Sequence, residues 1–407
     1  MNAGICPTPT IIYKKNQLNI MGGVIISGSH NPPKWNALKL LSRSTFLDKS
    51  ELDEFISLLN KIKLNDYRKP KKKQRKLTNI NPIPDYINAV YEHLDYDSIV
   101  SSNDLNVVID TGAGAGKLVT PKILEGLSCE VLSINENFTK KGKFPRKIEP
   151  IEENLEDLIM KVWKDKADLG FAHDADADRL AIVGDDYKCY SEDVGLALIT
   201  EHYLREKYKE NKENEIIFVT NVASSLIFEE LAKKYNAKII RTPIGECYLS
   251  QKMNALIKNH SKSNNMLVFG GEGSCGGVML PSFNNARDGI FAAAKIIEIL
   301  VKSGMKISEL VSQLPKYHNY RENIEIKNID IQSLIDQVER ELINEGEDLV
   351  RIGNDLRFGK KNEWFVLIHP SNTEPIVRVI SEAKRESLAR IYGQPTAELV
   401  RMILNRI

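Results

Sequence analysis

Short apolar, β-branched runs recur along the chain, separated by stretches in which apolar residues return every three or four positions. The clearest runs are Gly23–Ile26, Asn106–Asp110, Glu130–Ile134, 216–219, 237–240 and 266–269. They do not alternate apolar with polar residues, which predicts strands with both faces covered. Between them, 51–59, 155–164, 193–208, 225–235 and 287–302 carry helical periodicity. The last holds Ile290, Phe291, Ala294, Ile297 and Val301 on one broad stripe. Alternation of such strands and helices is the βαβ signature of a mostly parallel sheet.

The style changes after about Gly304. Residues 323–327 alternate like a half-buried strand, and 330–344 read as a helix. Strands follow near 349–352, 364–368 and 375–381, then a closing helix over 397–407. The expected fold class is α/β: three mixed-sheet αβ domains, 1–97, 98–192 and 193–315, and a C-terminal α+β domain with an antiparallel sheet, 316–407.

The chain has 407 residues, 42% of them hydrophobic, enough for several cores. Its 56 basic and 55 acidic residues leave a net charge of +1, so no global field points to nucleic acid or an anionic membrane. The basic run 68–76 has no interleaved aromatic residue on which bases could stack and reads as a solvated linker. Five cysteines, odd in number and never in C-x-x-C spacing, argue against a disulfide framework or a zinc site. With no apolar run of membrane-spanning length and no apolar leader core, the expected location is the cytoplasm.

Chemistry concentrates in four loops. Asp174, Asp176 and Asp178 stand on alternate residues between an apolar run ending at Ala172 and another starting at Leu180. Three carboxylates in one tight turn repel each other unless a cation lies between them, and an all-oxygen site suits a hard divalent ion such as Mg²⁺. An EF-hand loop would need Gly at its sixth position and Glu at its twelfth, where this chain has Arg179 and Asp185. A solvated acidic turn is the commoner fate of a charge run, but apolar strands flank this one closely. Strand 24–26 enters Ser27-Gly-Ser-His-Asn-Pro-Pro33, a small hydroxyl-bearing loop. Strand 266–269 ends in Gly270-Gly-Glu-Gly-Ser-Cys-Gly-Gly277, which bares backbone groups and offers Glu272 and Ser274 to a polar ligand. His369-Pro-Ser-Asn-Thr-Glu-Pro375 and the nearby Arg378 would suit a phosphate.

Together and in this order, the four loops resemble those of the α-D-phosphohexomutase superfamily, the mutases of glucose, mannose and glucosamine phosphates. Ser27–Pro32 resembles its T-A-S-H-N-P loop, Asp174–Arg179 its D-G-D-G-D-R, Gly271–Ser274 its G-E-x-S and Pro370–Pro375 its P-S-G-T-E-P. Smaller matches lie at 35–39, 109–116 and 242–245. The resemblance implies that Ser29 carries a transferable phosphoryl group. Asp174, Asp176 and Asp178, with the phosphorylated Ser29, would hold Mg²⁺, which neutralises charge moving during transfer. Arg179 would orient the phosphate, and Lys39 and His30 would serve proton transfer or electrostatic support. Glu272 and Ser274 would grip sugar hydroxyls, and His369, Ser371, Asn372, Thr373 and Arg378 would anchor the non-reacting phosphate. The implied reaction exchanges hexose 6-phosphate and 1-phosphate through a sugar bisphosphate, with the phosphosugar and the bisphosphate as small-molecule partners and no nucleic acid or membrane.

This chain departs from the family pattern in three places. Many relatives have His where it has Gly276, and glycine-ended loops resemble phosphoglucosamine-mutase members, so glucosamine phosphate is the expected substrate. The arginine that opens the family's phosphate loop is His369 here. Relatives also begin well upstream of the serine loop, so the first domain is expected to be incomplete, with an exposed strand edge and apolar surface. Two other readings stay open: a mutase of glucose or mannose phosphate, and a catalytically impaired homologue with a binding role. A metal-dependent phosphatase would leave the serine loop without a role.

Overall fold

The computed structural model describes residues 1–43, 45–62, 77–210, 215–259, 266–273, 276–326, 329–371 and 374–407. The basic run at 68–76 lies outside them. The described chain divides into two compact units. The first takes in Met1–Ile199 and Val268–Ser312 with the segment that starts at Glu246; the second takes in Thr200–Gly245 and Gln313–Ile407.

The first unit opens with α1 (Thr8–Gln17), which follows Pro7 and has Pro9 in its first turn, where a missing N–H costs nothing. An antiparallel pair follows, β1 (Gly23–Ile26) and β2 (Leu38–Leu41), in register Val24 to Leu40. Helix α2 (Lys49–Lys61) starts at a capping box in which Asp48 and Glu51 satisfy each other's backbone N–H groups. Helices α3 (Ile83–Glu92) and α4 (Tyr96–Ser102) follow.

The expectation of covered strand faces fails at β1. Ile25 packs inward with Ile12, Leu41 and Ala286, whereas Val24 is 59% exposed and Ile26 70%. The strand obeys period two: one face meets α1 and Ala286, and the other is largely exposed.

Strands β3 (Asn106–Asp110), β4 (Glu130–Ile134), β5 (Leu169–Ala172) and β6 (Ala181–Gly184) form a sheet in the order β4-β3-β5-β6. The first three are parallel, joined through α5 (Thr120–Gly126) and α6 (Glu156–Asp165). β6 returns antiparallel to β5, so the acidic loop is a hairpin turn between two fully buried strands. Leu155, Leu158 and Val162 from the α6 region close over this sheet. Helix α7 (Glu192–Glu210) follows.

In the second unit, β7 (Glu215–Asn221), α8 (Ile227–Lys234) and β8 (Lys238–Thr242) form a βαβ unit with the two strands in parallel register. The chain returns to the first unit with α9 (Glu246–Asn259) and, after β9 (Met266–Gly271), the antiparallel β10 (Val278–Leu280) and β11 (Asn284–Asp288). Helix α10 (Gly289–Ser303) is capped by Asp288, whose carboxylate accepts from Phe291 N at 2.9 Å, and ends at Gly304. Its buried Lys295 pairs with Glu298 and donates to His93 O at 3.0 Å. Helix α11 (Ile307–Ser312) closes this stretch.

The C-terminal part of the second unit is a five-stranded antiparallel sheet in the order β12-β16-β15-β14-β13. Its strands are β12 (His318–Glu325), β13 (Leu349–Ile352), β14 (Asp355–Lys360), β15 (Trp364–Pro370) and β16 (Ile376–Ala383). Helices α12 (Ile331–Asn344) and α13 (Glu386–Leu404) cover one face with Leu334, Ile335, Val338, Val400 and Ile403. Helix α13 begins eleven residues before the expected Ala397 and runs through Pro395. Its early turns are held by Ser381 Oγ donating to Ala389 O at 2.6 Å and by Tyr392 stacking on Trp364 at 3.9 Å. That packing outweighs the one backbone hydrogen bond the proline removes. No helix among the described residues is long and apolar enough to cross a membrane.

Candidate active site

The hairpin between β5 and β6 turns all three aspartates inward. One carboxylate oxygen from each of Asp174, Asp176 and Asp178 lies within 4.8 Å of the others, and all three residues are buried. Ala177, where the resembled motif has glycine, adopts φ 56° and lies fully buried. Behind the loop His173 is fully buried, and burial lowers its pKa to about 4. It is therefore neutral: Nδ1–H donates to Arg179 O at 2.7 Å, and Nε2 accepts from Thr120 Oγ1 at 3.0 Å.

The serine loop meets this cluster. Ser29 Oγ donates to Asp174 Oδ2 at 3.1 Å, and Ser29 sits at φ 51°, a left-handed conformation uncommon outside glycine. His30 Nε2 accepts from Arg179 Nη2 at 3.2 Å, because a guanidinium only donates. Burial, then Arg179 and Arg287, push the His30 pKa down to about 3, so its proton stays on Nδ1, 3.4 Å from Ser29 Oγ. In this geometry His30 holds Arg179 and donates toward the serine; it has no lone pair to take the serine proton.

Cations surround the acids. Lys39 Nζ lies 2.5 Å from Asp176 Oδ2 and 3.3 Å from Asp178 Oδ2. Burial disfavours its charge, but Asp178 and Asp176 outweigh that and hold the ammonium above the usual lysine range. Thr8 Oγ1, at the start of α1, donates to Asp176 Oδ2 at 2.6 Å. Burial and the neighbouring Asp178 and Asp176 push the Asp174 carboxyl well above the usual range. At Asp178 burial acts the same way, but Arg287, Lys39 and Arg179 reverse it and keep the carboxylate ionised.

Two carboxylate oxygens, Asp176 Oδ1 and Asp178 Oδ1, are buried with no hydrogen-bond partner. A buried oxygen left so is costly. Two on one three-carboxylate cluster fit a hard divalent cation, which takes only oxygen ligands.

Glu272 is buried just after β9 and accepts from Arg287 Nη1 at 2.6 Å. Arg287 also donates from Nη2 to Asp178 Oδ2 at 2.9 Å, which joins Glu272 to the acidic cluster through one guanidinium. Ser274 lies outside the described residues. Gly276 has φ 69°, and a Cβ there would meet Leu180 O at 2.2 Å. The backbone here leaves no room for a side chain at the position where many members of the resembled family have His.

In the second unit, His369 and Arg378 are direct cross-strand neighbours on β15 and β16. His369 Nδ1–H donates to Asp355 Oδ1 at 2.6 Å, both side chains nearly buried. Ser371 Oγ accepts from Glu374 N at 3.2 Å, and Arg378 pairs with Glu374. Asn372 and Thr373 lie outside the described residues.

The first unit thus brings Ser29, His30, Lys39, Asp174, Asp176, Asp178, Arg179 and Glu272 into one cluster. The sequence reading missed Thr8, Glu246 and Arg287. None lies in one of the four loops, and Arg287 fell in a segment expected to be helix.

Family models described as "Phosphoglucomutase/phosphomannomutase, alpha/beta/alpha" domain I, II and III match residues 1–66, 84–187 and 192–317. The chain is 34% identical to the "Phosphoglucomutase/phosphomannomutase" of Thermococcus kodakarensis over 96% of its own length and 81% of the relative's. It is 31% identical to the "Probable phosphoglucosamine mutase" of Pyrococcus abyssi, covering 98% and 83%. Among solved structures, a phosphoglucomutase/phosphomannomutase family protein from Burkholderia thailandensis superposes with a TM-score of 0.75 at 20% identity, covering 99% of this chain and 82% of that one.

Proposed function

The chain belongs to the phosphoglucomutase/phosphomannomutase family of α-D-phosphohexomutases, and on that footing we propose that it interconverts hexose 6-phosphate and hexose 1-phosphate, with glucosamine phosphate its preferred sugar. The observation that carries the reading is the Ser29 hydroxyl held against Asp174 by a hydrogen bond across 145 residues of sequence.

Ser29 carries the phosphoryl group. In the forward half-reaction the bond from phosphorus to Ser29 Oγ breaks and one to a sugar hydroxyl oxygen forms, the hydroxyl proton ending on Ser29 Oγ, giving the bisphosphate. The bisphosphate turns over, and its other phosphoryl returns to Ser29. Asp174, Asp176, Asp178 and the phosphorylated Ser29 would hold Mg²⁺, whose charge would stabilise the phosphoryl oxygens. Arg179, steadied by His30 and by Glu149 at 3.2 Å, orients the phosphoryl oxygens from a fixed direction. Lys39, held charged among acids, supplies positive potential beside the departing oxygen. Glu272 and Ser274 grip the sugar hydroxyls, while His369, Ser371, Asn372, Thr373 and Arg378 bind the phosphate that is not reacting. Phosphoryl transfer depends mainly on positioning and charge stabilisation, and this set of residues supplies both.

Domain limits near 97, 192 and 315, and a cytoplasmic location in keeping with the free Cys6, Cys129, Cys189 and Cys247, belong to the same proposal. The test is a side-by-side rate comparison on glucosamine, glucose and mannose 6-phosphates with Mg²⁺ and a hexose bisphosphate activator. The expected result is 1-phosphate formation fastest from glucosamine 6-phosphate. No 1-phosphate from any of the three would overturn the mutase assignment.

A further inference from the structure

The geometry points to Arg287 as a positioning residue that fixes the metal-side carboxylate Asp178 and the sugar-side carboxylate Glu272 in one rigid relation. This rests on the reading of the site given above and assigns a residue outside the four motif loops.

Arg287 lies near the end of β11, its side chain only 13% exposed. Its Nη2 donates to Asp178 Oδ2 at 2.9 Å and its Nη1 to Glu272 Oε2 at 2.6 Å. Glu246, the first residue of α9, holds the arginine from behind. Its Oε1 accepts from the Arg287 backbone N at 2.7 Å, and its Oε2 lies 3.3 Å from Nε. Three acids from three separate chain segments therefore meet one planar group. Its nitrogens diverge in fixed directions, so it sets the angles between the carboxylates as well as neutralising them. A lysine ammonium, a point charge on a flexible stem, could balance the charge but not fix the angles.

The oxygens that Arg287 occupies carry the argument further. It shares Asp178 Oδ2 with Lys39, and the other oxygen, Oδ1, is one of the two buried oxygens without a hydrogen-bond partner. By taking Oδ2, Arg287 selects the oxygen of Asp178 that faces a cation. By taking Glu272 Oε2, it fixes the rotation of the carboxylate proposed to grip the sugar. Gly277 makes the arrangement possible: a Cβ there would meet Asp178 O at 2.3 Å and Arg287 Cβ at 3.3 Å, so only glycine lets the end of the sugar loop lie against both.

The test compares the whole parent protein with Arg287→Lys and Arg287→Gln, each alone and with Glu272→Gln. Mg²⁺ affinity is measured calorimetrically without sugar, and kcat and KM on hexose 6-phosphate. Arg287→Lys, which keeps the charge and guards against misfolding of the glutamine variant, is expected to weaken Mg²⁺ binding about tenfold, the usual scale for an outer-sphere ligand support. It is also expected to raise KM for the sugar. In the Glu272→Gln background the KM effect should largely vanish while the Mg²⁺ effect remains. Parent-like Mg²⁺ affinity and KM in Arg287→Lys would overturn the inference, as would a KM effect undiminished by Glu272→Gln. A parent protein that makes no hexose 1-phosphate would sink the mutase reading instead, and the Mg²⁺ titration would still decide the role of Arg287 at Asp178.

Discussion

Ser29 Oγ lies 3.1 Å from Asp174 Oδ2, although the two belong to loops 145 residues apart. One loop follows β1 and the other closes a hairpin between two buried strands. The contact brings the proposed nucleophile against the proposed metal ligands, and Ser29 keeps a left-handed backbone to make it. Strain of this kind persists only where the surroundings impose it.

Gly289 opens α10 directly beneath the acidic loop. A Cβ there would meet Arg179 O at 2.3 Å and Ala177 O at 3.1 Å, and these are backbone atoms that cannot rotate away. Gly289→Ala should push the loop outward, costing about 1–3 kcal/mol of stability and weakening both Mg²⁺ affinity and turnover at least tenfold. Thermal melting and a metal titration on the same preparation check it. Parent-like values in both would show that α10 does not shape the loop.

Asp178 is a fully buried carboxylate facing Arg287 and Lys39. Asp178→Asn should destabilise the protein by more than about 1 kcal/mol, because Arg287 and Lys39 lose the buried carboxylate they share, although Glu272 and Asp176 still partner them. The exposed Lys188–Asp186 pair is a contrast, and Lys188→Ala should change stability by less than about 1 kcal/mol. Similar melting shifts in the two variants would contradict the account of the charged cluster.

Asp288 caps α10 and also accepts from Tyr86 Oη at 2.6 Å and Asn284 Nδ2 at 3.0 Å. Burial raises its pKa to about 6 in spite of those donors. The folded state therefore holds the proton more tightly than the unfolded chain. The contribution to stability is full below about pH 4 and is lost as pH rises through about 6. Asp288→Asn removes that dependence. Relative to the parent, the variant should gain up to about 3 kcal/mol between pH 4 and 7.5. Parallel melting curves for the two proteins across that range would refute the assignment.

In the second unit, Asp355 holds His369 by Nδ1, opposite Arg378 on the next strand. If His369 stands in for the family's arginine, Asp355→Ala should free the ring to turn. KM for the 6-phosphate should then rise several-fold with kcat nearly constant, a loss of binding shared by ground and transition states. A fall in kcat with KM unchanged would point elsewhere.

Much of this site was legible before folding. β3 and β4 were read to the residue, and the acidic turn was read as a loop between two strands, because buried strands and turn-forming acids carry strong local signals. β10 and β11 were not read. Asn284-Asn-Ala-Arg-Asp288 has no strand pattern, and its buried polar side chains are paid for by partners far away in sequence, Asn284 with Pro9 O and Asn285 with Asn254. Arg287 and Glu246 escaped for the same reason: a buried ion-pair hub is made by tertiary contact and leaves no periodicity behind. β1 looked like a doubly covered strand because Val24 and Ile26 are as apolar as Ile25, and only the fold shows that Ile25 is buried and the other two exposed. Gly276 read as a missing histidine; its left-handed backbone against Leu180 shows a loop of another shape.

The most direct measurement is the intact mass of the protein after incubation with a hexose 1,6-bisphosphate, before and after addition of hexose 6-phosphate, with the modified peptide sequenced. A single phosphate on Ser29 that leaves when the sugar is added, and is never acquired by Ser29→Ala, is the predicted result. A phosphate on another residue, or none while hexose 1-phosphate still accumulates, would contradict the account.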